Sequence, residues 1–202
     1  MANNSALSLL LLTLVALFIL KSPATTALAA KDAPLRGRRE KQEPYKVVNE
    51  FCNHQKMQRV TISQDFCKRV LKSDLRSASA KDNVALLLIS VDLVIGKLNK
   101  TREYYLSTVR RKSISPPAAL KPALEDCANA YERGIGQLEL VPVDVKDDPT
   151  FGSYDALLAN DALKKCGESL KMHRISDYPI LIRHRSSARF VQLCVDISMN
   201  VS

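Results

Sequence analysis

Between Ala80 and Lys112 the apolar residues Val84, Leu88, Val91, Ile95, Leu98, Tyr105 and Val109 recur at steps of four and three. Only Arg102 interrupts them. That spacing puts one apolar seam along a helix of about 50 Å, longer than any sheet strand. A seam this long needs partners of similar length, so the chain is constrained towards a helical bundle. "SISPP" (113–117) ends the pattern, because a proline pair cannot continue the hydrogen-bond ladder.

Three further segments have the matching period. A second helix begins at Pro117 or Ala118, or only at Pro122, with Leu120, Leu124, Cys127, Tyr131, Ile135 and Leu138 inward. Gly134 and Gly136 weaken its last turn, and Pro142 stops it. An acidic, turn-rich connection follows, "VPVDVKDDPTFG" (141–152). Ser153 is then the expected cap of a third helix to about Met172, with Ala156, Ala159, Leu163, Cys166 and Leu170 inward. A fourth helix spans roughly Ile180 to Asn200. Upstream, residues 45–71 read as two short helices in a hairpin. Six glycines and no Trp agree with an all-α class, an up-and-down four-helix bundle preceded by a helical hairpin.

"SALSLLLLTLVALFIL" (5–20) is too short to span a bilayer comfortably, and "TTALAA" (25–30) offers small residues for cleavage after Ala29 or Ala30. Residues 1–29 therefore read as a signal peptide, 30–44 as a flexible basic leader containing "RGRREK", and 45–202 as the folded domain. The expected product is a secreted monomer, in the apoplast or cell wall or else the vacuole, with no membrane attachment after cleavage. The formal charge of +9 is spread along the chain. With a secretory route it implies a solvated surface, or attraction to an acidic partner or to polyanionic cell-wall material, and not a nucleic-acid site.

An oxidising compartment makes cysteine pairing the expectation. Of five cysteines, Cys194 sits in the apolar run "FVQLCVDI" and reads as a buried thiol. The other four allow three connectivities. Local pairing favours Cys52–Cys67 and Cys127–Cys166, worth about 3 and about 4 kcal/mol by loop-closure entropy. His54, His173 and His184 are scattered, and no cysteine pair has metal-ligand spacing, so no metal site is expected. Phosphate-binding glycine loops and the hydrolase and zinc-protease motifs are missing, so neither a catalytic residue nor a cofactor is expected. Asn99-Lys100-Thr101 and Asn200-Val201-Ser202 are glycosylation sequons, with Asn99 the expected acceptor. These features describe a binding module. A lipid carrier would need paired Cys-Cys and Cys-x-Cys motifs, which the chain lacks.

Several stretches carry a family resemblance: "FCNHQ" with "SQDFCKRVL", "SDLRSASAKDNVALLLISVDLVIGKLNK", "PPAALKPALEDCANAYERGIGQL" and "DALLANDALKKCGESL". In this order and spacing the chain resembles the plant invertase and pectin methylesterase inhibitor family over about residues 48–201. The resemblance implies disulfides Cys52–Cys67 and Cys127–Cys166. It also implies a protein that blocks a carbohydrate-active enzyme and does not itself act as one. Invertase inhibitors of this family can carry Pro-Lys-Phe in the loop between the second and third bundle helices, and that loop enters the invertase cleft. Here Pro149-Thr150-Phe151 stands at the matching place. "SDLRSA" and "PPAALKPAL" also look more like the invertase side. The resemblance therefore implies an inhibitor of acid invertase, with Pro149, Thr150 and Phe151 of the 142–152 loop as target contacts. The alternative is an inhibitor of pectin methylesterase acting through a bundle face.

Overall fold

The structure, a computed structural model, describes residues 43–54, 62–111 and 118–201. The expected signal peptide and nearly all of the leader lie outside them, as do the "SISPP" stop and the side chain of His54. The described residues contain six α-helices and no strand: α1 Lys46–His54, α2 Gln64–Leu71, α3 Asn83–Arg111, α4 Leu120–Asp147, α5 Pro149–Met172 and α6 Tyr178–Ser198. A 3₁₀ turn over Leu75–Ser79 joins α2 to the bundle.

The short helices α1 and α2 form the expected hairpin. Neither reaches the 12 or so residues at which an isolated helix becomes marginally stable. They are held by the Cys52–Cys67 disulfide, with Cα atoms 5.8 Å apart, and by burying Val48, Phe51, Phe66, Val70 and Leu71 in the common core. Ser63 starts α2 by accepting a hydrogen bond from the Phe66 amide at 3.4 Å.

Helices α3 to α6 form the bundle, α3 packing on α4, α4 on α5, α5 on α6, and α6 closing the ring against α3. The α3 seam differs from the sequence expectation. Val84, Leu88, Ile95 and Val109 are only half-buried, and the line facing the centre is Leu87, Val91, Val94, Leu98, Thr101, Tyr105 and Thr108. Two threonines occupy positions that an apolar count skips. Both are satisfied inside the helix, Thr101 Oγ1 donating to the Lys97 carbonyl at 3.0 Å and Thr108 Oγ1 to the Tyr104 carbonyl at 2.7 Å. The Thr101 and Ser187 hydroxyls also lie 2.9 Å apart, a buried polar link between α3 and α6.

The α4 stripe is as expected, with Leu120, Leu124, Cys127, Tyr131, Ile135 and Leu138 all buried. Its ring system crosses the bundle. Tyr131 meets Tyr105 of α3 edge-on with centroids 5.4 Å apart, and its hydroxyl lies 3.3 Å from Nδ1 of His184 on α6. The α4–α5 contact is very close. Cys127 and Cys166 are bonded with Cα atoms 4.4 Å apart, and Gly134 fits where a Cβ would stand 2.8 Å from Leu163 Cδ1. The glycine expected to weaken α4 is therefore what lets α5 approach. The α5 stripe of Ala156, Ala159, Leu163, Cys166 and Leu170 is buried as expected. Cys194 is an unpaired thiol inside the core, and burial pushes its pKa up to about 12. No helix among the described residues is long and apolar enough to cross a membrane.

Candidate functional site

The segment expected to be a loop is helical. Pro142 does not stop α4, which continues to Asp147. A mid-helix proline costs about 3 kcal/mol through a lost hydrogen bond and ring crowding. Here the core stripe outweighs that cost, because Leu138, Val141 and Val145 continue inward past the proline and all three are buried. Val145 then packs on Gly152 of α5, where a Cβ would lie 3.1 Å from the valine Cβ.

Only Asp148 separates the two helices, and it serves both. Its amide donates to the Asp144 carbonyl at 2.9 Å, closing α4. Its backbone is extended, and its Oδ1 accepts from the Thr150 amide at 2.8 Å, opening α5. That amide, with the Thr150 hydroxyl, holds the Asp148 carboxyl below its usual range. Pro149 is thus the first residue of α5, where its missing N–H costs nothing. The cap is Asp148 and not Ser153, because Ser153 is buried within the second turn. Its Oγ donates to the Pro149 carbonyl at 3.2 Å and to the Ser198 carbonyl of α6 at 2.8 Å.

Pro149, Thr150 and Phe151 therefore form the first turn of a helix braced against α4 and α6. Pro149 is half-buried, Thr150 exposed, and Phe151 59% exposed, so the ring does not pack back on the bundle. Tyr154, three residues on and hence on the same helical face, is also 59% exposed. Leu140 and Val143 form a second exposed pair at the same spacing near the end of α4. The hairpin tip thus shows four large apolar side chains that belong to neither core stripe. Sequence reasoning singled out Phe151 alone. The other three were readable as apolar residues off the stripe on helical spacing, once both helices are extended to Asp148.

Under this surface lies a carboxyl pair. Asp155 is 5% exposed, and its Oδ2 has no hydrogen-bond partner. Burial, then the facing carboxyl of Asp144, pushes its pKa up to about 6. The described residues hold no group of His, Cys, Asp and Glu placed to bind a metal ion. Asn99 is exposed on α3, whereas the Asn200 side-chain amide donates to the Asp196 carbonyl at 2.7 Å.

Comparison with known proteins bears on this arrangement. A sequence model described as plant invertase/pectin methylesterase inhibitor matches residues 46–181. Two solved structures share the fold. A mutant form of a pectin methylesterase inhibitor from Arabidopsis aligns with a TM-score of 0.60 at 20% identity, over 75% of this chain and 95% of its own. A pectin methylesterase inhibitor from Arabidopsis thaliana aligns with a TM-score of 0.52 at 19% identity, over 75% and 93%. No curated protein sequence matches significantly.

Proposed function

The chain belongs to the plant invertase/pectin methylesterase inhibitor family, and on that premise we propose that it is a secreted inhibitor of pectin methylesterase acting through the helical α4–α5 end of its bundle. The observation that carries this reading is the helical state of residues 142–152. Asp148 is the one residue between two long helices, so the segment presents its side chains from a fixed helical end and not from an extended loop. What the tip offers is a braced helical surface bearing the exposed Leu140, Val143, Phe151 and Tyr154. Rigid exposed aromatics lose little entropy when covered, which suits them as anchors of a protein–protein contact. The two Arabidopsis proteins that share the fold are pectin methylesterase inhibitors, which supports the same target class.

The contact works by area and shape, not chemistry. The Asp148 cap, the Ser153 bond to α6 and the Gly152–Val145 contact fix the tip before binding, so little of the binding energy goes to ordering it. The test is to titrate mature protein against pectin methylesterase, and to repeat it with Phe151→Ala/Tyr154→Ala. Inhibition weakened at least about tenfold by the pair is the expected result. Unchanged inhibition by the pair rules out the tip as the contact.

The exposure of Phe151 favours a second reading, inhibition of acid invertase with Pro149-Thr150-Phe151 as the contact. In that reading the helix end itself abuts the mouth of the cleft. Thr150 brings no positive charge to the carboxylates of a glycosidase, and its amide and hydroxyl already serve Asp148. The same titration against invertase separates the two targets.

A further inference from the structure

We infer that the outer seam between α3 and α6, extended onto α2, is a binding stripe for a linear polycarboxylate, that is, an acidic polysaccharide. The two helices run antiparallel in a readable register. Arg183 Cζ stacks 4.1 Å from the Tyr104 ring centroid, Thr101 meets Ser187, and Lys97 Nζ lies 5.8 Å from the Phe190 ring. Phe190 in turn touches Phe66 of α2 edge-on at 5.5 Å, and the Phe66 ring carries Arg189 at 4.1 Å and Arg69 at 6.0 Å. Cations and aromatic rings therefore alternate along one line. From Lys97 to Tyr104 that line covers about 10 Å of helix.

Three properties turn this line into a site for negative charge. First, Arg69, Lys97, Lys100, Arg183 and Arg189 make no ion pair among the described residues. Among the described residues the cations that do form ion pairs, Arg76, Arg102, Lys121 and Lys164, all lie outside this row. Second, the cations crowd each other. The Lys97 ammonium is held below its usual pKa by burial, then by the charges of Arg183 and Lys100. An incoming anion relieves that repulsion. Third, a guanidinium stacked on a ring is held flat and only weakly hydrated, with its N–H groups free to take a carboxylate in a two-bond fork.

The shape selects the partner. The cations lie in a row along a helix–helix seam, which fits a chain with charge repeated along its length better than the broad face of an acidic protein. The family supplies the chemistry, since hydrolysing methyl esters along pectin leaves a row of carboxylates on a polysaccharide. The stripe lies on α2, α3 and α6, whereas the proposed target contact is on α4 and α5, so the two readings fail separately.

The experiment measures binding of the mature protein to polygalacturonate, to its methyl-esterified form, to dextran sulfate and to single-stranded DNA at one ionic strength. Lys97→Gln/Arg183→Gln/Arg189→Gln removes three charges from the seam. Lys121→Gln/Lys164→Gln/Lys165→Gln removes three from α4 and α5 as a matched control. Polygalacturonate binding is expected to weaken at least about tenfold in the seam variant and less than about twofold in the control. The methyl-esterified polymer is expected not to bind. If the triple variant misfolds by circular dichroism, Lys100→Gln/Arg183→Gln, at two exposed positions, is expected to weaken binding about threefold. Equal losses in seam and control variants overturn the proposal. So does binding of the esterified, sulfated or nucleic-acid polymer as tightly as polygalacturonate.

Discussion

Replacing Asp155 with Asn is expected to stabilise the protein at neutral pH and to change little in acid. Asp155 is buried, one carboxyl oxygen has no partner, and Asp144 faces it. Burial and that neighbour raise its pKa to about 6 in the folded protein, against about 3.9 in an unfolded chain. Below about pH 4 both states hold the proton, and the site costs nothing. Between about 4 and 6 the unfolded chain releases its proton first, so stability falls as pH rises. Above 6 both are ionised and the penalty is complete, at most about 3 kcal/mol at 1.4 kcal/mol per tenfold change in proton affinity. Asparagine keeps the shape, carries no charge, and can donate to Asp144. The assay is urea unfolding of parent and Asp155→Asn with disulfides intact, at several pH values from 4 to 7.5. A gain of about 2 kcal/mol moves the midpoint by about 1 M for a urea slope near 2 kcal/mol per M. Buried His184, held below its usual pKa by burial and then Arg185, lowers stability in acid in both proteins and cancels in the difference. A gain as large at pH 4 as at pH 7, or a loss at pH 7, refutes the reasoning.

The two glycines of α4 should respond oppositely to alanine. Gly136 faces open space, so Gly136→Ala should stabilise by about 0.5–1 kcal/mol, whereas Gly134→Ala should destabilise by about 1–2 kcal/mol by displacing Leu163; thermal unfolding of both variants checks this. Arg174 closes α5 with φ of 52°, its amide bonded to the Lys171 carbonyl and the Ile175 amide to the Leu170 carbonyl. A glycine has no Cβ strain in that backbone, so Arg174→Gly should raise stability by about 0.5–1 kcal/mol in urea unfolding. Thr101→Val and Ser187→Ala should each destabilise by about 1–2 kcal/mol, and the double variant by less than their sum, in a cycle read by urea unfolding.

The four long helices, the hairpin and both disulfides were legible because each rests on many residues sharing one period, or on a cysteine framework. The errors fall where one residue's local preference met a tertiary contact. Pro142 reads as a stop, but the Val141–Val145 stripe continues beneath it. Thr101 and Thr108 are skipped by a count of apolar residues, but each spends its hydroxyl on its own helix and is buried. Ser153 reads as a cap, although Asp148 followed by proline is the stronger start signal, and the serine serves instead to tie α5 to α6. With Pro142 read as the end of α4, residues 142–152 become a loop, and Phe151 stands alone without Leu140, Val143 and Tyr154. The α3–α6 cation row was hidden differently. Its α3 and α6 members lie about 80 to 90 residues apart in the chain and meet only through the antiparallel register.

On the proposed reading the helical α4–α5 end of the bundle, and not an inserted loop, blocks a pectin methylesterase. The most direct measurement is a side-by-side titration of the mature protein against a pectin methylesterase and an acid invertase. Saturable inhibition of the esterase that weakens with Phe151→Ala/Tyr154→Ala is expected, with no inhibition of the invertase at the same concentrations. Inhibition of the invertase alone contradicts that reading.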